Sequence, residues 1–172
     1  MDDAFADVLD ANARYAAVEH AVPETGVARK ELAIVTCIDS RIDPLAVFGL
    51  EPGDAKILRN AGARVTDDVE RGLALAAAAL GVTRIAVVQH TDCKLTAASE
   101  AELVAAVGKA TGRARIDGFD PLAIADQPAA LASDIGRLLE SALLPKGTLV
   151  TGMVLDLHSG RLDTVVSTTS TG

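Results

Sequence analysis

The chain has 172 residues, a length that suits one domain, and a formal net charge of −8. That charge argues against nucleic acid and anionic membrane surfaces as partners, and no apolar run reaches the roughly 20 residues of a membrane span. Hydrophobic residues make up 49% of the chain but aromatics only 2%, so Ala, Val, Leu and Ile must fill the core.

The N-terminus, Met1-Asp2-Asp3-Ala4-Phe5, is acidic and lacks the basic start and apolar core of a signal peptide. The expectation is a soluble cytoplasmic protein with reduced thiols. Residues 2 to 20 read as a helix with a thin apolar stripe of Phe5, Val8, Leu9, Ala13 and Ala16. Two readings are open for it: an arm, residues 1–22, lying on a partner subunit, or a peripheral helix on its own domain. Pro23 to Gly26 breaks it, and His20 reads as a helix-end residue.

The continuous apolar run Leu32-Ala33-Ile34-Val35 marks a buried strand over residues 31 to 37, ending at Cys37. Residues 42 to 49 read as a short helical turn, and residues 55 to 59 as a second strand. Thr66 and Asp67 are candidate caps, with Glu70 placed for a capping box. The helix they start carries Val69, Leu73, Ala76 and Leu80 on one face. A third strand, residues 84 to 89, runs into His90-Thr91-Asp92-Cys93. Ser99 and Glu102 pattern as a capping box, with Leu103, Ala106, Val107 and Ala110 facing inward. Residues 112 to 125 read as loop. Asp126 and Pro128 start a long helix, and residues 148 to 157 and 162 to 166 read as a strand pair. The tail, residues 167–172, reads as frayed. This order predicts a single α/β domain over residues 1–172, with a mainly parallel central sheet flanked by helices and an antiparallel edge strand.

Cys37 and His90 fall at carboxyl ends of predicted strands, the rim where such sheets bind ligands. With Cys93 they make a three-donor set for zinc that leaves one position for water or substrate. Two thiolates offset the metal's formal charge, so bound water should ionise somewhat high and activity should rise with pH. By spacing, Asp39 fits as an acceptor that orients a zinc-bound hydroxide, and Arg41 fits as its bidentate holder. If that pair opens, Asp39 becomes a candidate fourth ligand. The plainer alternatives are a buried core thiol at Cys37, a closed structural zinc, and redox sensing. Asp92 reads as pointing away or bonding backbone, and His158 as exposed.

Cys37-Ile38-Asp39-Ser40-Arg41 and His90-Thr91-Asp92-Cys93 resemble the two signature motifs of the β-class carbonic anhydrases, and Arg59-Asn60-Ala61-Gly62 resembles the segment between them. The short length resembles a compact bacterial subgroup. This resemblance implies one Zn²⁺ per chain on Cys37, His90 and Cys93, and an Asp39–Arg41 dyad. It also implies reversible hydration of carbon dioxide to bicarbonate and a proton. A homodimer or homotetramer follows, with the N-terminal helix reaching across. Ile38, Val65 and Leu95 are candidate pocket walls; Ser40, Asn60 and Gly62 are candidate supports. Lys94 departs from the family's usual glycine after the second Cys. It points to solvent, obstructs the site, or holds bicarbonate. The alternatives for function are a hydrolase of a sulfur analogue such as carbon disulfide, and a weakly active or non-catalytic zinc-binding module.

Overall fold

Apolar runs without alternation become strands buried on both faces. In the computed structural model, which describes residues 4–18, 23–113 and 116–169, β1 (Leu32–Cys37) is buried from Ala33 onward and β3 (Arg84–His90) from Ile85 onward. With β2 (Ala55–Asn60), β4 (Leu149–Leu155) and β5 (Leu162–Thr169) they form a five-stranded sheet in the order β2-β1-β3-β4-β5. All neighbours are parallel except β4 and β5, as expected. The tail expectation gives way in part: pairing of β5 continues to Thr169, opposite Leu149. The backbone of β4 runs back to Leu149 and gives Thr168 and Thr169 pairing partners. Residues 1–3, 19–22 (with His20) and 170–172 of the expected arm and tail lie outside the described residues.

The chain leaves β1 for β2, then returns past β1 to reach β3. Winding therefore reverses between β1 and β3, and open parallel sheets bind ligands in the crevice such a reversal leaves. Cys37 is the last residue of β1 and His90 the last of β3.

One face of the sheet is closed by α3 (Asp67–Ala79) and α6 (Gln127–Glu140). Val69, Leu73 and Ala76 of α3 and Leu131, Ile135 and Leu138 of α6 share a core with Val35, Val87 and Val150. Thr66, not Asp67, caps α3 by accepting the Val69 N–H. Glu70 forms no capping box. Its carboxylate accepts from Arg137 Nη2 at 2.7 Å and Ser141 Oγ at 2.5 Å, tying α3 to α6. The Ser99–Glu102 box does form at the start of α5 (Glu100–Thr111). The inward face expected for α5 is met in part: Leu103 and Val107 are half-buried, Leu103 against the cluster of Ile34 and Val88, whereas Ala106 and Ala110 are exposed.

Buried Asp134 of α6 accepts from Arg64 Nε at 2.8 Å, while Arg64 Nη1 donates to the Leu122 carbonyl at 3.2 Å. Removing one partner of a largely buried pair strands the other charge away from water. Asp134→Ala is expected to lower the unfolding free energy by about 3 kcal/mol, measured by urea titration. A loss under about 1 kcal/mol would mean that solvent reaches the pair.

The opposite face is only partly covered. Ile34, Ala86 and Val88 pack there with Ile42 and Leu155. Beside them runs an apolar groove of about 530 Å³ lined by Leu32, Ile34, Phe48, Ala86, Met153 and Leu162. Helix α1 (Ala6–Ala16) has no buried residue. Phe5, Val8, Leu9 and Tyr15 are all more than half exposed. Among the described residues, no helix is long and apolar enough to cross a membrane.

Candidate metal centre

Two strand ends and one turn supply the donors. The ligand atoms of Cys37, His90 and Cys93 lie within 4.8 Å of one another, and all three residues are buried. His90 Nδ1 lies 2.8 Å from the Thr91 carbonyl. A carbonyl only accepts, so Nδ1 carries a proton and the metal-facing role falls to Nε2. Nε2 is buried and has no partner in hydrogen-bonding geometry among the described residues. An unsatisfied buried nitrogen costs about 1–3 kcal/mol unless something binds it. Two sulfurs and such a nitrogen are the donor set of a three-ligand zinc site, so these residues fit the ion.

The two sulfurs are unequal. The Cys93 thiol, donating to Cys37, is the largest cause that pushes the Cys37 thiol down to about 4, against its burial. His90 and the backbone N–H groups of Asp39 and Gly62 add to the shift. Cys93 is pushed up, because losing its proton would set two thiolates together in a buried site. Burial opposes the charged form of His90, but the Cys37 thiolate and the Thr91 carbonyl outweigh it and raise its pKa.

The segment after β2 braces β1. Gly62 N–H donates to Cys37 Sγ at 3.3 Å. Its φ is +75°, which favours glycine, and a Cβ there would stand 2.7 Å from Leu95 Cδ2, so a larger residue would also have to displace that side chain. Asn60 clamps the 3₁₀ turn Ala61–Ala63: its amide donates to the Arg64 carbonyl at 2.7 Å and accepts the Arg64 N–H at 2.9 Å. Arg59 donates to the carbonyls of Cys37, at 2.9 Å, and Asp39, at 2.7 Å. Gly62 thus touches a donor directly, and Asn60 shapes the turn that carries it. The hold of Arg59 on the ligand strand carried no separate signal in the sequence.

Asp39 and Arg41 do meet. Arg41 Nε and Nη2 donate to the two oxygens of Asp39 at 3.0 and 2.7 Å, and the Arg41 backbone N–H adds a bond of 3.0 Å. These bonds, the guanidinium first, hold the Asp39 carboxyl well below the usual carboxylate range. Asp39 Oδ2 stands 3.9 Å from His90 Nε2. Asp92 stands outside the donor set and is exposed, as read, but its carboxylate has a partner the sequence did not suggest: it accepts Arg41 Nη1 at 2.7 Å. No local pattern signals that contact.

The candidate pocket walls do not gather at one place. Ile38 is exposed beside Cys37, and Leu95 is buried in the same cluster as Cys37 and Cys93. Val65 is buried in the other core, with α3 and α6. Ser40 is exposed.

Residues 32–116 match the family model described as carbonic anhydrase. The chain is 32% identical over 136 residues to β-carbonic anhydrase 1 of Mycobacterium tuberculosis, covering 79% of this chain and 82% of that protein. This chain belongs to the β-carbonic anhydrase family. Its fold superposes on the carbonic anhydrase of Streptococcus mutans with a TM-score of 0.86 and 34% identity, covering 96% of this chain and all of that one. A carbon disulfide hydrolase of Acidianus is 27% identical over 155 residues, covering 77% of this chain and 76% of that protein. Within the β-carbonic anhydrase pattern, Lys94 is the departure. It opens α4 (Lys94–Ala97), a helix too short for its periodicity to be read, and its side chain is exposed. The left-handed turn of this segment falls at Asp92, with φ +55°, so position 94 requires no glycine. With Leu95, Leu103, Val107 and Leu122, Lys94 lines an apolar pocket of about 440 Å³.

Proposed function

We propose that this protein catalyses reversible hydration of carbon dioxide to bicarbonate and a proton, with one zinc ion held by Cys37, His90 and Cys93. The observation that carries the reading is the unpartnered, buried His90 Nε2 between two sulfurs at the reversal of the sheet. Zinc bound there supplies a Lewis-acidic position at which water is acidified toward neutral pH. The Arg41 guanidinium lowers the pKa of Asp39 and makes it a weak base, so it serves as hydrogen-bond acceptor for the nucleophile rather than as the group that takes its proton. Arg41 fixes the direction of that acceptor through two bonds. Ile38 and Leu95 offer apolar surface beside the donors for an uncharged substrate.

Stopped-flow hydration on zinc-replete protein, at a neutral and an alkaline pH, tests this reading. Turnover that rises with pH is expected. No turnover at either pH, with one zinc per chain confirmed, would sink it in favour of a binding module. The carbon disulfide hydrolases among its relatives favour one competing substrate, so hydrolysis of carbon disulfide is measured in parallel. Faster turnover of the sulfur compound would reassign the substrate. Lys94→Gly is expected to change hydration less than about threefold, about 0.7 kcal/mol. The exposed side chain and ordinary helical backbone of Lys94 place no strain on Cys93. A gain of tenfold or more would identify Lys94 as an obstruction.

The functional unit is proposed to be a homo-oligomer in which α1 of one copy covers the open sheet groove of another. The support is complementary: a helix without a buried residue and a sheet face without a full cover.

A further inference from the structure

Arg41 serves two carboxylates. Asp39 and Arg41 lie in the turn after β1, and Asp92 lies in the turn after β3, between His90 and Cys93. The guanidinium gives Nε and Nη2 to Asp39, at 3.0 and 2.7 Å. It gives Nη1 to the Asp92 carboxylate at 2.7 Å and Nη2 to the Asp92 carbonyl at 3.0 Å. One cation therefore joins the two turns that present the metal donors. Asp92 reaches it by taking φ +55°, a conformation that Asp and Asn tolerate better than most residues with a Cβ.

Stability does not account for the arrangement. The Arg41 and Asp92 side chains are 50% and 60% exposed, and ion pairs so placed contribute little to folding. Orientation does account for it. Asp39 Oδ2 is 3.9 Å from His90 Nε2, so a modest swing carries this carboxylate toward the three donors. A guanidinium bound to Asp39 alone would swing with it. A guanidinium also fixed to the opposite turn, at both a carboxylate and a carbonyl, resists that swing.

We propose that Asp92 is a positioning residue: by anchoring Arg41 to the turn after β3, it keeps Asp39 out of the fourth position of the metal centre. The inference rests on the metal-centre reading above. It predicts a coupling between two residues that do not share a hydrogen bond, Asp92 and Asp39, transmitted by Arg41.

The test is thiocyanate binding to cobalt(II)-loaded protein, followed by visible absorption, which reports an open fourth position without any turnover. Parent, Asp92→Asn, Asp39→Asn and the double variant are compared. Asparagine keeps the size and the positive φ of residue 92 but removes its charge. Asp92→Asn is expected to weaken thiocyanate binding about tenfold, as if about nine sites in ten were closed by Asp39. In the Asp39→Asn background the same change is expected to have no effect, since no carboxylate is left to close the site. Asp92→Gly, which suits the turn without any side chain, is expected to weaken binding in the same direction. Binding within twofold of the parent in both Asp92 variants would overturn the inference. So would an undiminished loss in the Asp39→Asn background, which would place the effect in the ligand turn itself. Failure of the parent to take up one cobalt per chain would overturn the metal-centre reading, and this inference with it.

Discussion

Cys93→Ser is expected to leave the protein folded, free of bound zinc after dialysis against a chelator, and at least about a thousandfold slower in carbon dioxide hydration, a loss of about 4 kcal/mol in transition-state stabilisation. Serine keeps the volume but replaces a soft thiolate with a hydroxyl that does not ionise near neutral pH, and zinc sites depend on the thiolate. The fold should survive, because its larger core, with Leu73, Leu131 and Ile135, packs α3 and α6 against the sheet and does not include Cys93. Metal analysis together with a thermal melt checks both halves. Retention of one zinc per chain would remove Cys93 from the ligand set. The same pair sets a pH dependence with a definite sign. Cys37 is pushed toward the thiolate and Cys93 toward the thiol, so binding metal on both sulfurs should release a proton from the pair. His90, with its raised pKa, must also be deprotonated to ligate. Affinity for zinc should therefore fall as pH falls, about tenfold per unit for each proton displaced. Competition with a chelator at pH near 6 and near 8 measures it, and equal affinities would show that the donors are already stripped of protons.

Why the donors were legible is a matter of burial. A strand covered on both faces must be apolar throughout, so Leu32 to Val35 and Ile85 to Val88 announce their strands and fix where Cys37 and His90 come to rest. The Asp39–Arg41 contact spans two residues, and the turn after β1 closes it locally. What spacing does not reveal is contact across the fold. Arg41 and Asp92 are 51 residues apart, and Glu70 meets Arg137 across 67. Glu70 reads as a capping residue because local pattern gives it only one partner, whereas the packing of α3 against α6 offers Arg137 and Ser141. The place of Val65 was hidden for a similar reason. An isolated valine after a glycine-bearing turn does not disclose which face of the sheet it joins, and it joins the α3–α6 side. The edges were hardest. α5 has a helical apolar pattern, yet Leu103 and Val107 are half-buried while Ala106 and Ala110 are exposed, and small residues give periodicity little power to tell the two faces apart.

Deletion of residues 1–22 is expected to turn the protein from an oligomer into a monomer at about 10 μM, a loss of at least about a thousandfold in association, or about 4 kcal/mol. Phe5, Val8, Leu9 and Tyr15 each keep more than half of their surface in water. Fully burying a large apolar side chain yields about 1.5–3 kcal/mol, of which association consumes part. The groove of about 530 Å³ beside Ile34, Ala86 and Met153 presents apolar surface of matching character. In a twofold dimer each arm meets the other copy's groove, so one truncation removes the contact twice. Sedimentation velocity on the full chain and the truncated chain decides the matter. Leu9→Glu, which keeps the arm but charges its stripe, is expected to weaken association in the same direction by a smaller factor. Equal molar masses for the full and truncated chains would assign α1 to its own domain, the second reading of its thin stripe. Val8 and Leu9 are 57% and 58% exposed, so most of the apolar stripe is left for a partner to cover.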